Sequence, residues 1–69
     1  MTTKQIEEHA ERVAANFIRG KNTGRPSDAF VTHCMNDVGC IPRPATLRRV
    51  SALAAVKVEL AKTIASWGK

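Results

Sequence analysis

Two short stretches rich in glycine and proline divide the chain into three segments with helical periodicity. Residues 20–26 contain two glycines and a proline, and residues 39–44 contain one glycine and two prolines. Proline cannot continue a helix interior, because it lacks the amide donor and clashes with the preceding turn. At 69 residues the chain has room for one domain, residues 1–69. With only three aromatic residues its alanine-rich core suits close packing of helices better than a sheet sandwich.

The first segment predicts a helix from about Thr3 to Arg19. Thr2, followed three residues later by Gln5, fits a capping box, and Gly20 is a typical C-terminal stop. Apolar residues recur at three- and four-residue spacing and form one stripe, made of Ile6, Ala10, Val13 and Phe17. The second segment predicts a shorter helix of about three turns, opened by Pro26 or Ser27.

The third segment predicts a long helix from Pro44 or Ala45 to Trp67, whose apolar residues occupy two neighbouring arcs at ~100° per residue. The first arc consists of Leu53, Val56, Leu60, Ile64 and Trp67, and the second of Leu47, Ala54, Val58, Ala61 and Ala65. Together they cover about half of the helix circumference, which is wider than the stripe of a simple surface helix.

Two interpretations account for this wide apolar face. The long helix is either the buried centre of a monomeric bundle, or it packs one arc in its own chain and the other on a second copy. A domain this small buries only ~60% of the surface of its unfolded chain, so a second subunit would add the missing core. The predicted fold is therefore an all-α, small three-helix domain, with two shorter helices and one long C-terminal helix, in a homodimer.

The charge distribution favours an anionic partner. The formal net charge is +5, and the acidic residues are concentrated in the first helix. Two basic groups are candidate contacts for nucleic acid or for a partner protein: Arg19, Lys21 and Arg25 around the first loop, and Arg43, Arg48 and Arg49 near the start of the third helix. The alternative interpretation is that the residues of both groups are ordinary surface charges in contact with solvent.

Catalytic and metal chemistry are not expected. Cys34 and Cys40 are separated by five residues, which is not the close spacing of a structural zinc module. Cys34 lies on the predicted apolar face, where a thiol acts as a small hydrophobic group. His33 and Cys34 diverge by ~100° on a helix, and no third catalytic group can be assigned. We expect no enzyme activity, no metal, no cofactor and no small-molecule substrate.

The segment from Phe30 to Gly39, followed by Ala45 to Val50, resembles a helix-turn-helix. The resemblance implies that the arginines at the start of the long helix enter the major groove of DNA or hold its phosphates. The sequence departs from the motif in two places. The connector Cys40–Pro44 is longer than the usual three or four residues, and Met35 occupies a position that is normally small.

Two functions remain open from the sequence. The first is a basic, helix-turn-helix-like nucleic-acid-binding regulator; the alternative is a protein that binds and modulates a host protein, of the kind that phage or plasmid accessory genes encode. The N-terminal residues are mostly polar, and no apolar run approaches the ~20 residues of a membrane span. A third option, attachment of the long helix to an anionic membrane surface, is disfavoured because its polar side carries Ser51, Glu59, Thr63 and Ser66 as well as lysine. We expect a cytoplasmic protein that does not associate with membranes.

Overall fold

The computed structural model describes residues 2–67, which form three α-helices and no strand. They are α1 (Thr3–Arg19), α2 (Asp28–Asn36) and α3 (Pro44–Trp67). The predicted all-helical, three-helix domain with a long C-terminal helix is confirmed. The observed bounds of α1 and α3 agree with the predicted ones, whereas α2 has nine residues and is slightly shorter than expected.

Side chains at the helix ends explain where α1 and α2 begin. The hydroxyl of Thr2 accepts a hydrogen bond from the amide of Gln5 at 3.2 Å, and the Gln5 side chain accepts one from the Thr2 amide at 2.9 Å. This is the predicted capping box, which satisfies two amide groups that have no partner within the helix. Ser27 caps α2 by accepting a hydrogen bond from the amide of Phe30 at 3.1 Å.

Helices α1 and α3 lie side by side and run in the same direction. Near their N-terminal ends, Ile6 and Leu53 line one groove. Further along, the Glu11 carboxylate lies 3.6 Å from the Lys57 ammonium group, and Phe17 packs with Val58. Because residue numbers rise together on the two helices, α1 and α3 are parallel. Lys57, which lies within the wide apolar face of α3, thus has an acidic partner in its own chain.

The main core forms where all three helices meet, and its buried members are Ile6, Ala10, Val13, Val31, Cys34, Met35, Val50 and Ala54. A second cluster of Ala14, Phe17 and Val58 extends it toward the end of α1. There the ring of Phe30 meets that of Phe17 edge to face, with centroids 5.5 Å apart. This aromatic contact ties the start of α2 to the end of α1.

The two apolar arcs of α3 have different environments. Val50, Ala54 and Val58 are buried against α1 and α2. Of the five residues predicted for a core or a dimer surface, only Leu53 packs partly against the core. The other four are more than half exposed: Val56 61%, Leu60 55%, Ile64 54% and Trp67 76%.

Within the single chain, α3 is therefore not the well-buried central helix of the first interpretation. Helices α1 and α2 cover only one side of α3, so its first arc remains in contact with solvent. In addition, α1 has 17 residues and α3 has 24, and every residue from Lys62 to Trp67 is exposed. The C-terminal turns of α3 thus extend beyond the packed part of the chain.

Substitution of Met35 tests this core. Met35 is fully buried, so Met35→Ala should reduce the free energy of unfolding by ~2–5 kcal/mol through lost burial and a residual cavity. Ile41 is 90% exposed, and Ile41→Ala should change it by no more than ~0.5 kcal/mol. Urea unfolding followed by circular dichroism measures both values, and equal effects of the two substitutions would contradict the described core.

Candidate binding surfaces

The two basic groups predicted from the sequence lie at opposite ends of the helical bundle. All six residues, Arg19, Lys21, Arg25, Arg43, Arg48 and Arg49, are exposed. Since α1 and α3 are parallel, the end of α1 lies near Lys62, whereas α3 begins at the other end of the bundle. The first turn of α3 and Lys62 are ~24 Å apart along the helix axis at ~1.5 Å per residue. A single chain therefore does not unite the six residues in one site.

The group at the start of α3 points in several directions. Arg43 precedes the helix, and its carbonyl accepts a hydrogen bond from the amide of Leu47 at 2.8 Å. Arg48 and Arg49 follow within the first two turns and diverge by ~100° around the axis. Arg49 lines a groove beside α1, together with Glu7. These arginines can therefore contact a surface that wraps around the helix end, but they do not form a flat patch.

The group around the first loop includes a lysine that sequence analysis did not identify. Arg25 and Lys62 line a groove of about 310 Å³ with Gly24 and Glu59. The Lys62 ammonium group also lies 5.7 Å from the centre of the Phe17 ring, within range of a cation–π contact. No signal in the sequence links Lys62 to the loop, since 37 positions separate it from Arg25 and only the parallel packing of α3 on α1 brings them together.

The positive charge of both groups is not neutralised within the described chain. The ion pairs among residues 2–67 are His33 with Asp37 at 3.9 Å and Lys57 with Glu11 at 3.6 Å. None of the six basic residues takes part in them. Their side chains are therefore available to an external anion, which is the property that a phosphate-binding or carboxylate-binding surface requires.

The exposed arc of α3 forms an apolar surface, which we call the α3 stripe and define as Val56, Leu60, Ile64 and Trp67. At ~100° per residue these side chains fall within an arc of ~80°, so they form one straight row along the helix. Contiguous exposed apolar surface on a small protein commonly marks a site of protein–protein contact.

A groove lies beside the N-terminal end of the α3 stripe, between α1 and α3. It is shallow and open to solvent, has a volume of about 440 Å³, and is bordered by Thr3, Ile6 and Glu7 from α1 and by Arg49, Ala52, Leu53 and Val56 from α3. We call it the α1–α3 groove. Its floor is apolar, and Glu7 and Arg49 place charged groups around it.

The two cysteines are free thiols in different environments. Cys34 is buried, and the side-chain amide of Asn16 donates to its sulfur at 3.8 Å. Cys40 is half-buried at the edge of the core. His33 is exposed and lies near Asp37. Across residues 2–67, no group of three or more His, Cys, Asp or Glu side chains is arranged to hold a metal ion.

The connection between α2 and α3 bears on the resemblance to a helix-turn-helix. It comprises residues 37–43, which is longer than the three or four residues of that motif. Met35, at the position that is normally small, is fully buried. Binding of DNA through α3 thus remains a prediction from the sequence.

The chain matches no protein-family model, no curated protein and no solved structure at a significant level. In the described part of the chain, no helix combines the length and apolar character needed to cross a membrane. A functional proposal therefore rests on the basic groups, the α3 stripe and the α1–α3 groove.

The thiols provide a second prediction. Cys40 should react with a thiol reagent under native conditions, whereas Cys34 should react only after unfolding, because a buried thiol is shielded from the reagent. Mass spectrometry should detect one rapid modification in buffer and two in denaturant. A Cys40→Ser chain should lose the rapid modification, and rapid labelling of Cys34 in that variant would contradict its burial.

Proposed function

We propose that the protein is a non-enzymatic binding protein that forms a homodimer through the α3 stripe and binds nucleic acid with its basic groups. The observation that carries the nucleic-acid part is the set of six exposed arginine and lysine side chains without a carboxylate partner in the described chain. A net charge of +5 on 69 residues strengthens the attraction of the whole molecule to a polyanion.

The start of α3 is the best-equipped part of this surface. Arginine presents five donors in a planar fork and can hold a phosphate through two parallel hydrogen bonds. Arg43 and Arg48 lie on either side of the helix start, where the first backbone amides lack partners within the helix and favour negative charge. A phosphate at this end would be bound by side chains and by the positive end of the helix dipole together.

The homodimer part of the proposal is supported by the exposure of the α3 stripe. Burial of a large apolar side chain stabilises a protein by ~1.5–3 kcal/mol relative to leaving it in water. Four such side chains are more than half exposed on one face of α3. A second copy that covers them would add apolar burial to the limited core of a domain of this size.

The second candidate function is binding to an acidic surface of a host protein, as expected of a phage-like or plasmid-type inhibitor or adaptor. The separation of the two basic groups favours it, because one chain offers no continuous track for a nucleic-acid backbone. The same arginines would then form ion pairs with carboxylates around an apolar centre, which is a common arrangement of protein interfaces.

Removal of two arginines at the start of α3 tests the nucleic-acid proposal. The double substitution Arg43→Ala with Arg48→Ala, which leaves Arg49 in the α1–α3 groove unchanged, should weaken binding to a random-sequence duplex by at least ~10-fold at low salt. If each arginine contacts one phosphate, the slope of log affinity against log salt should fall by ~2. Fluorescence anisotropy of a labelled duplex at several salt concentrations gives both quantities.

Two control variants separate a local contact from a general effect of charge. Arg19→Ala with Lys21→Ala also removes two positive charges, but from the other end of the helical bundle. Lys4→Ala removes one exposed positive charge from α1, the acidic helix. Because Arg19 and Lys21 belong to the proposed basic groups, both double variants should weaken binding; an equal loss per charge removed in all three variants, Lys4→Ala included, would indicate that only net charge matters. If the unaltered protein does not bind the duplex even at low salt, the nucleic-acid proposal fails and the host-protein candidate remains.

A further inference from the structure

We infer that the proposed homodimer is antiparallel, with Trp67 of each copy seated in the α1–α3 groove of the other. The inference rests on the homodimer proposed above and adds the identity of the group that fills the groove. It follows from the positions of the groove, the α3 stripe and the exposed end of α3.

The apolar residues of α3 are arranged symmetrically about Leu60. Val56 and Ile64 lie four residues before and after it, and Leu53 and Trp67 lie seven residues before and after it. A two-fold axis at Leu60 therefore places Val56 opposite the partner's Ile64, and Leu53 opposite the partner's Trp67. Each pair lies at the same distance from the axis, up to ~10 Å at ~1.5 Å per residue, so the surface complements itself as a two-fold interface requires.

The shapes of the two halves of α3 also match in this orientation. Its first half borders the α1–α3 groove of about 440 Å³, and its last residues, from Thr63 to Trp67, are exposed beyond the contact of Lys62 with Phe17. In an antiparallel pair, these last residues of one copy meet the groove of the other, and this occurs twice. A parallel pair would instead place the two grooves against each other, with no large side chain to fill them.

The residues that border the groove can form polar and stacking contacts with an indole ring. A buried tryptophan usually donates its N–H group to an acceptor, and the Glu7 carboxylate supplies one beside the apolar floor. Arg49 borders the same groove, and a guanidinium group stacks favourably on an aromatic face. Trp67 is 76% exposed in the single chain, so it has the most surface to bury there.

The surface area of the single chain agrees with a missing partner. It exposes 4944 Å², whereas a compact monomer of 7.5 kDa is expected to expose about 4,250 Å². The excess of roughly 700 Å² reflects the elongated shape of the chain, 39 × 22 × 17 Å, and a second copy packed along α3 would cover part of this surface. The radius of gyration of the single chain, 11.8 Å, also exceeds the ~11 Å of a compact chain of this length.

Dimerisation and the location of Trp67 can be measured together, because the chain has one tryptophan and no tyrosine. Light scattering should give a dimer mass at high micromolar concentration, and dilution should shift the tryptophan emission to longer wavelength as the dimer dissociates. Ile64→Ser should weaken dimerisation by at least ~10-fold, which is about 1.4 kcal/mol. Ile41→Ser, at an exposed isoleucine outside the α3 stripe, should leave it unchanged.

Cross-linking between introduced cysteines determines the orientation. In a Cys40→Ser background, Val56→Cys chains mixed with Ile64→Cys chains should form disulfide-linked dimers, and neither variant should do so alone. Leu60→Cys should cross-link to itself in either orientation, which makes it the control for dimer formation. Circular dichroism of each variant verifies that the fold is retained.

Each result has a separate meaning. If Val56→Cys chains cross-link to one another, the dimer is parallel, and the inference is overturned while the proposed homodimer stands. If the protein is a monomer at all concentrations and its tryptophan emission is that of an exposed indole, both the inference and the proposed homodimer fail. Duplex binding is read independently by anisotropy, so the nucleic-acid proposal is not decided by either result.

Discussion

The parallel contact between α1 and α3 is the constraint on which the rest of the structure depends. It extends from Ile6 beside Leu53 to Phe17 beside Val58, and the Glu11–Lys57 ion pair lies along it. Because this contact occupies one side of α3 and α1 is the shorter helix, it creates both the α1–α3 groove and the uncovered end of α3. The two features that we assign to dimerisation are thus consequences of the same packing.

The composition of the core explains why a second subunit would be useful. Apart from Phe17 and Met35, the buried residues are small or medium-sized, and the conformational entropy lost on folding must be offset by their burial. Domains of this size often gain stability from a metal, a disulfide or another subunit. The free thiols of Cys34 and Cys40 form no disulfide, and the α3 stripe offers the surface for a subunit contact.

The antiparallel dimer also relates the α3 stripe to the basic groups. A two-fold axis at Leu60 places the two copies of Arg48 on the same face, ~36 Å apart along the dimer at ~1.5 Å per residue. This separation is close to one helical turn of B-form DNA, ~34–36 Å, which is the spacing of half-sites for many dimeric DNA-binding proteins. Basic residues that one chain holds at a helix end would therefore act in pairs in the dimer.

The sequence by itself determined the helices, since their boundaries depend on local chemistry: the Thr2–Gln5 capping box, the cap at Ser27 and the prolines before α3. It also determined that α3 carries two apolar arcs. Only the tertiary structure decided that Val50, Ala54 and Val58 face the core while the α3 stripe faces solvent, and that Lys62 lies beside Arg25. The reason is physical: helical periodicity specifies which residues share a face, but the neighbour of each face depends on how α1 and α2 pack against it.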